Sequence, residues 1–100
     1  MSAQKVAVTS EIPDGNGKVV SINGKALAVF NCGGTFYATE NTCPHRGGPL
    51  ADGAVAGNNV TCPWHGWEFD IPNGRCLTNP AASVPTYPLE LKGEEIWVSL

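Results

Sequence analysis

Apolar and polar residues alternate with a period of two wherever the chain reads as regular structure. Trp67, Phe69 and Ile71 share a face opposite Glu68 and Asp70, and Tyr87, Leu89 and Leu91 share one opposite Pro88, Glu90 and Lys92. Near the C-terminus Ile96, Val98 and Leu100 fall on one side. Such alternation marks half-buried strands. Gly and Pro then cut the chain so often that, past residue 12, no stretch free of both exceeds the nine residues Thr35–Cys43. Helices usually need more than that, whereas strands of five or six residues fit. The pattern predicts an all-β chain.

Turn signals join the strands. Asn23-Gly24 lies between Val19–Ile22 and Ala26–Phe30, and Asn73-Gly74 lies between Trp67–Ile71 and Arg75–Leu77. Both are hairpin dipeptides. Gly33-Gly34 turns Ala26–Phe30 into Thr35–Thr39, and Lys92-Gly93 turns the last pair. Pro85 and Pro88 cannot donate to a ladder, so their strand is expected to begin at a sheet edge. The expected architecture is a compact antiparallel β-sandwich with a smaller lobe, residues 43 to about 70, inserted between its strands.

Two short stretches carry the chemistry: Cys43-Pro44-His45-Arg46-Gly47-Gly48-Pro49-Leu50 and Cys62-Pro63-Trp64-His65-Gly66-Trp67. They read C-x-H, sixteen residues, then C-x-x-H. Each offers one soft thiolate and one borderline imidazole, a set that suits a two-iron, two-sulfide cluster with both Cys on one iron and both His on the other. Four such ligands also suit a structural zinc ion. Zinc fingers, however, usually pair Cys with Cys and His with His, and here the two types interleave. A disulfide framework would leave both histidines without a reason. Pro44 and Pro63 fix φ directly after each Cys, so that the amides of His45 and Trp64 can turn back toward the sulfurs. Gly47, Gly48 and Gly66 permit tight turns and a close approach of backbone to the site.

With these motifs the chain resembles the Rieske 2Fe–2S family over almost its whole length. The resemblance implies a Rieske-like β-sandwich with an inserted cluster-binding lobe, and Cys43, His45, Cys62 and His65 as ligands of one 2Fe–2S cluster. It also implies that the loop opened by Asn79-Pro80 shields the cluster. High-potential members tie their two loops with a disulfide and aim a Ser and a Tyr hydroxyl at the cluster. The corresponding positions are Gly48 and Trp64 for the disulfide and Trp67 and Phe69 for the hydroxyls, so a low potential is expected here. Cys32 and Cys76 are expected as free structural thiols. Trp67 is expected in the core, and Trp64 either over the cluster or on a docking face.

Size and charge fit a small carrier. One hundred residues make one domain, 1–100, able to bury roughly two-thirds of its unfolded surface. The net charge of −3 is spread out and leaves no nucleic-acid footprint. The longest apolar run, Ala26–Phe30, is too short for a membrane span or signal-peptide core, so a cytoplasmic protein is expected. Only two histidines exist, which leaves none for the separate mononuclear iron of the ring-hydroxylating oxygenases. No phosphate-cradling glycine fingerprint lies between the motifs, so neither flavin nor nicotinamide binding is expected. An electron carrier rather than a catalyst follows. The resemblance then offers two partner sets: a flavin-dependent reductase with a terminal oxygenase, or the large subunit of an assimilatory nitrite reductase. A zinc-stapled interaction module is the distant alternative.

Overall fold

The computed structural model describes residues 3–43, 48–64 and 66–99. Among them lie β1 (Ala3–Val8), β2 (Asn16–Ile22), β3 (Lys25–Cys32), β4 (Thr35–Glu40), β5 (Ala54–Ala56), β6 (Asn59–Thr61), β7 (Glu68–Asp70), β8 (Thr86–Tyr87), β9 (Leu89–Lys92) and β10 (Glu95–Ser99). They form three antiparallel sheets, ordered β1-β10-β9, β2-β3-β4-β8 and β5-β6-β7. Helical structure among the described residues is confined to 3₁₀ turns at Thr9–Glu11 and Leu50–Asp52.

The architecture is organised around β3. Its residues Leu27, Ala28, Val29 and Phe30 are all fully buried, so both faces of the strand are covered. Leu27 and Val29 enter a core with Val20, Ile22, Ala38, Ile96 and Val98, which joins the four-stranded sheet to the terminal strands. Ala28, Phe30 and Cys32 enter a second core with Leu50, Val60, Phe69, Ile71 and the other three cysteines. Leu27–Phe30 is thus read by both cores at once, odd positions by one and even positions by the other, while Ala26 is exposed.

The first two hairpins form as their turn residues predict. Asn23 and Gly24 both have positive φ (52° and 79°) between the paired residues Ile22 and Lys25, the signature of a type I′ turn. Gly33 and Gly34 do the same between Cys32 and Thr35. Three expectations shift. The last turn is centred on Gly93-Glu94 rather than Lys92-Gly93, because Lys92 pairs with Glu95 and Gly93 takes the positive φ at the first central position. The Asn73-Gly74 hairpin closes a wider loop: Asp70 N–H donates to the Arg75 carbonyl and Leu77 N–H to that of Glu68. Gly74 is required there, since a side chain would run into the Val84 carbonyl. Leu91 is 44% exposed rather than buried beside Tyr87 and Leu89. Pro88 breaks that strand: β8 pairs with β4 at the edge of one sheet, and β9 continues as the edge of another.

The chain's N-terminal strand has no clear alternation in the sequence, yet β1 pairs with β10 along its length, with a register shift between Lys5 and Ala7. Ile96 and Val98 are buried as expected, and Leu100 lies outside the described residues.

Phe30 joins the two cores by sitting in one and belonging to the strand that lines the other. Truncation of Phe30 to Ala is expected to cost about 3–5 kcal/mol, the range for a large aromatic lost from a packed interior. Denaturant unfolding checks this; a loss below about 1 kcal/mol would contradict the role given to β3.

Candidate metal centre

Each cysteine of the motifs stands at the neck of a hairpin loop. The first loop leaves β4 through Asn41, whose carbonyl accepts Leu50 N–H (2.8 Å) and whose side-chain oxygen accepts Ala51 N–H (2.9 Å). Thr42 then bridges to Pro49, and Cys43 N–H donates to the Gly48 carbonyl at 2.9 Å. The second loop is the tip of the β6–β7 hairpin, where Thr61 pairs with Glu68. There Cys62 N–H donates to the Trp67 carbonyl at 2.7 Å. In both loops the cysteine amide therefore reaches the carbonyl five residues on. Asn41 is a residue that sequence reasoning missed; its position two before the Cys, with an amide side chain able to mimic backbone, was the available signal.

The two necks converge. Cys43 and Cys62 are each 1% exposed, share the second core, and touch side chain to side chain. Neither is in a disulfide. Burial pushes the Cys62 thiol up, the Trp64 amide hydrogen bond pulls it down, and the neighbouring Cys43 pushes it up again. Burial and the neighbouring sulfur both oppose ionisation of Cys62, and a metal cation would supply the charge that offsets them. Trp64 N–H does turn back to its sulfur, as the proline after Cys62 suggested. Around Cys62 the packing is close: a Cβ built on Gly48 would stand 2.8 Å from its Sγ.

His45 and His65, with Pro44, Arg46 and Gly47, lie outside the described residues. Among the described residues no three potential ligands gather at one point, so the thiol pair is the part of the site that can be placed. A cleft of about 460 Å³ opens elsewhere, between Tyr37, Ile71, Pro72 and Tyr87, and none of the loop residues lines it.

The flanking residues take defined places. Trp67 packs partly buried against the second core, while Phe69 beyond it is 1% exposed. Trp64 is 49% exposed. Cys32 and Cys76 are buried free thiols, as expected. Burial, and then Asp14, raises the Cys32 thiol. Cys76 has a mechanical role: its sulfur accepts Asn79 N–H at 3.3 Å. Asn79 in turn accepts Ala81 N–H on its side chain and Ala82 N–H on its carbonyl, folding the Asn79-Pro80 loop into a closed turn. Glu68 ties that loop to the second hairpin by donating its N–H to Thr78 Oγ1 at 3.0 Å.

An all-β frame that brings two unpaired, buried thiols together at matching loop necks is the kind of frame that can hold a metal centre. The profile of the Rieske [2Fe-2S] domain matches residues 2–88, and the chain belongs to that family. Its domain holds a 2Fe–2S cluster, and the thiol pair, the inward amide of Trp64 and the side-chain-free approach at Gly48 fit such a group. Among relatives, the ferredoxin component of the naphthalene 1,2-dioxygenase system of Pseudomonas aeruginosa is 36% identical over 91 residues, covering 90% of this chain and 88% of that one. A chain in the complex of reduced oxygenase and oxidized ferredoxin of carbazole 1,9a-dioxygenase superposes with a TM-score of 0.89 at 32% identity, covering 97% of this chain and 92% of that one. A putative nitrite reductase small subunit superposes with a TM-score of 0.86 over the whole of both chains, at 19% identity, a likeness of fold alone.

Replacement of Cys76 by Ala is expected to free the Asn79 amide at a cost of about 1 kcal/mol. Hydrogen exchange should then speed up at Asn79, and Cys76→Ser should recover part of the protection. Unchanged exchange in both variants would remove the sulfur from the loop's support.

Proposed function

We propose that this protein is a soluble, cytoplasmic one-electron carrier, a single domain over residues 1–100, that serves an oxygenase system. It takes electrons from a flavin-dependent reductase and passes them to a terminal oxygenase. The observation that carries the reading is the contact of Cys43 with Cys62 at the paired loop necks. In this reading the two thiolates bind one iron, and His45 and His65 bind the other through one ring nitrogen each. When bound, a 2Fe–2S cluster accepts and returns a single electron. The chain's own residues then do the rest. The Trp64 amide stabilises negative charge on Cys62, the buried necks keep water from the thiolates, and the loop from Leu77 to Ala82 covers one side. With both histidines engaged, none is left for a second iron. Four free cysteines suit a reducing compartment. The relatives named as dioxygenase ferredoxin components support the oxygenase partner. Service as the small subunit of an assimilatory nitrite reductase rests on fold likeness alone.

Protein from a cluster-competent host should be brown and carry two irons and two sulfides per chain, as a single Rieske centre requires. His45→Ala or His65→Ala should abolish its characteristic spectrum, while Cys32→Ser leaves it in place. Colourless protein with stoichiometric zinc would defeat the reading.

The potential should sit at the negative end of the roughly −150 to +300 mV range of such centres. Trp67 and Phe69 have no hydroxyl to offer the sulfurs, and no disulfide ties the loops. The potential should be flat near neutral pH and fall in the alkaline range. The reason is that imidazole on ferric iron loses its remaining proton more readily than on ferrous iron, so that reduction takes up a proton there. Voltammetry giving a midpoint well above roughly +100 mV, or no alkaline slope, would contradict the ligation.

A further inference from the structure

Gly48 and Trp64 are the point at which the two ligand loops meet. Gly48 is buried, and its carbonyl closes the neck of the first loop by accepting Cys43 N–H. A Cβ placed on it would stand 3.0 Å from Trp64 Cγ and 3.1 Å from Trp64 Cβ. The α-carbon of the first loop is thus pressed against the root of the tryptophan on the second. Trp64 also directs its amide at Cys62. No covalent tie crosses between the loops, since all four cysteines are free.

We propose that Trp64 is a positioning residue that clamps the two ligand loops together, its side chain packed on Gly48 so that both cysteines keep their places around the cluster. The inference rests on the cluster reading given above. Each six-residue loop, Cys43 to Gly48 and Cys62 to Trp67, is closed at its neck by the cysteine amide, and an aromatic contact across the two necks opposes their opening. Gly48 is the matching half: without a side chain it lets the tryptophan root and the Cys62 sulfur approach together. The covered half of the indole, whose root lies against Gly48, keeps water off this side of the site. Its loss admits water, which favours the more negative, reduced state.

The experiment uses holo-protein as wild type, Trp64→Ala, Trp64→Phe and Val19→Ala, the last removing an equally exposed apolar side chain on β2, 50% exposed. Cluster loss under chelator challenge is followed by visible absorbance, and the midpoint potential is measured with no partner present. Trp64→Ala should lose the cluster about tenfold faster, the rate equivalent of one aromatic packing contact, and its potential should rise. Trp64→Phe should stay within about threefold of wild type, and Val19→Ala should match it. Circular dichroism monitors the β frame. If Trp64→Ala does not fold, Trp64→Leu takes its place and must still lose the cluster faster than Trp64→Phe. A Trp64→Ala protein that keeps wild-type cluster lifetime and potential overturns the clamp; slower electron transfer to an oxygenase alone would then mark Trp64 as a docking side chain. Wild-type protein that carries zinc instead of iron and sulfide defeats the cluster reading itself, a result distinct from failure of the clamp.

Discussion

Burial of β3 on both faces is the constraint from which the rest of the structure follows. A strand covered on one side only can tolerate slippage of its neighbours, whereas Leu27 to Phe30 leave no register free. One face holds the terminal strands and the other holds the lobe. The cysteines of the cluster loops therefore pack into the same core as Phe30 and Cys32 of the strand that anchors the sandwich. Rigid support of this kind limits how far a centre's surroundings must rearrange when charge changes on it.

The loops themselves are made alike. Each is a hairpin extended past its last strand pair and closed by the cysteine amide, from Cys43 to Gly48 and from Cys62 to Trp67. Closure by the cysteine's own amide fixes the position of its sulfur relative to the neck. Burial and the neighbouring Cys43 disfavour the ionised form of Cys62, which suits this site to a cationic partner. Gly48 lies against the Cys62 sulfur and the root of Trp64, and Asn41 fastens the first neck through Leu50 and Ala51.

Residues with one strong local preference were legible without coordinates. Asn23-Gly24 and Gly33-Gly34 need positive φ, and little but a tight hairpin uses two such residues in a row. Pro85 and Pro88 announced an edge for the same kind of reason, the lack of a donor. Leu91 misled because alternation assigns faces but not cover: Pro88 moves the chain from one sheet to another, and β9 is left at the rim. The strand β1 and the short strands β5 and β6 carried weak signals, since their pairing is decided by β10 and β7.

The sequence by itself determined the strand class, the first two tight turns and the four candidate ligands, because each depends on a property of one residue or of close neighbours. Two of those candidates, Cys43 and Cys62, are in contact; His45 and His65 lie outside the described residues. Tertiary structure alone decided that Gly48 meets Trp64 and that one strand serves two cores. These are contacts between segments distant along the chain or between loops with no periodicity. Their partners are chosen by close packing, which no local pattern encodes.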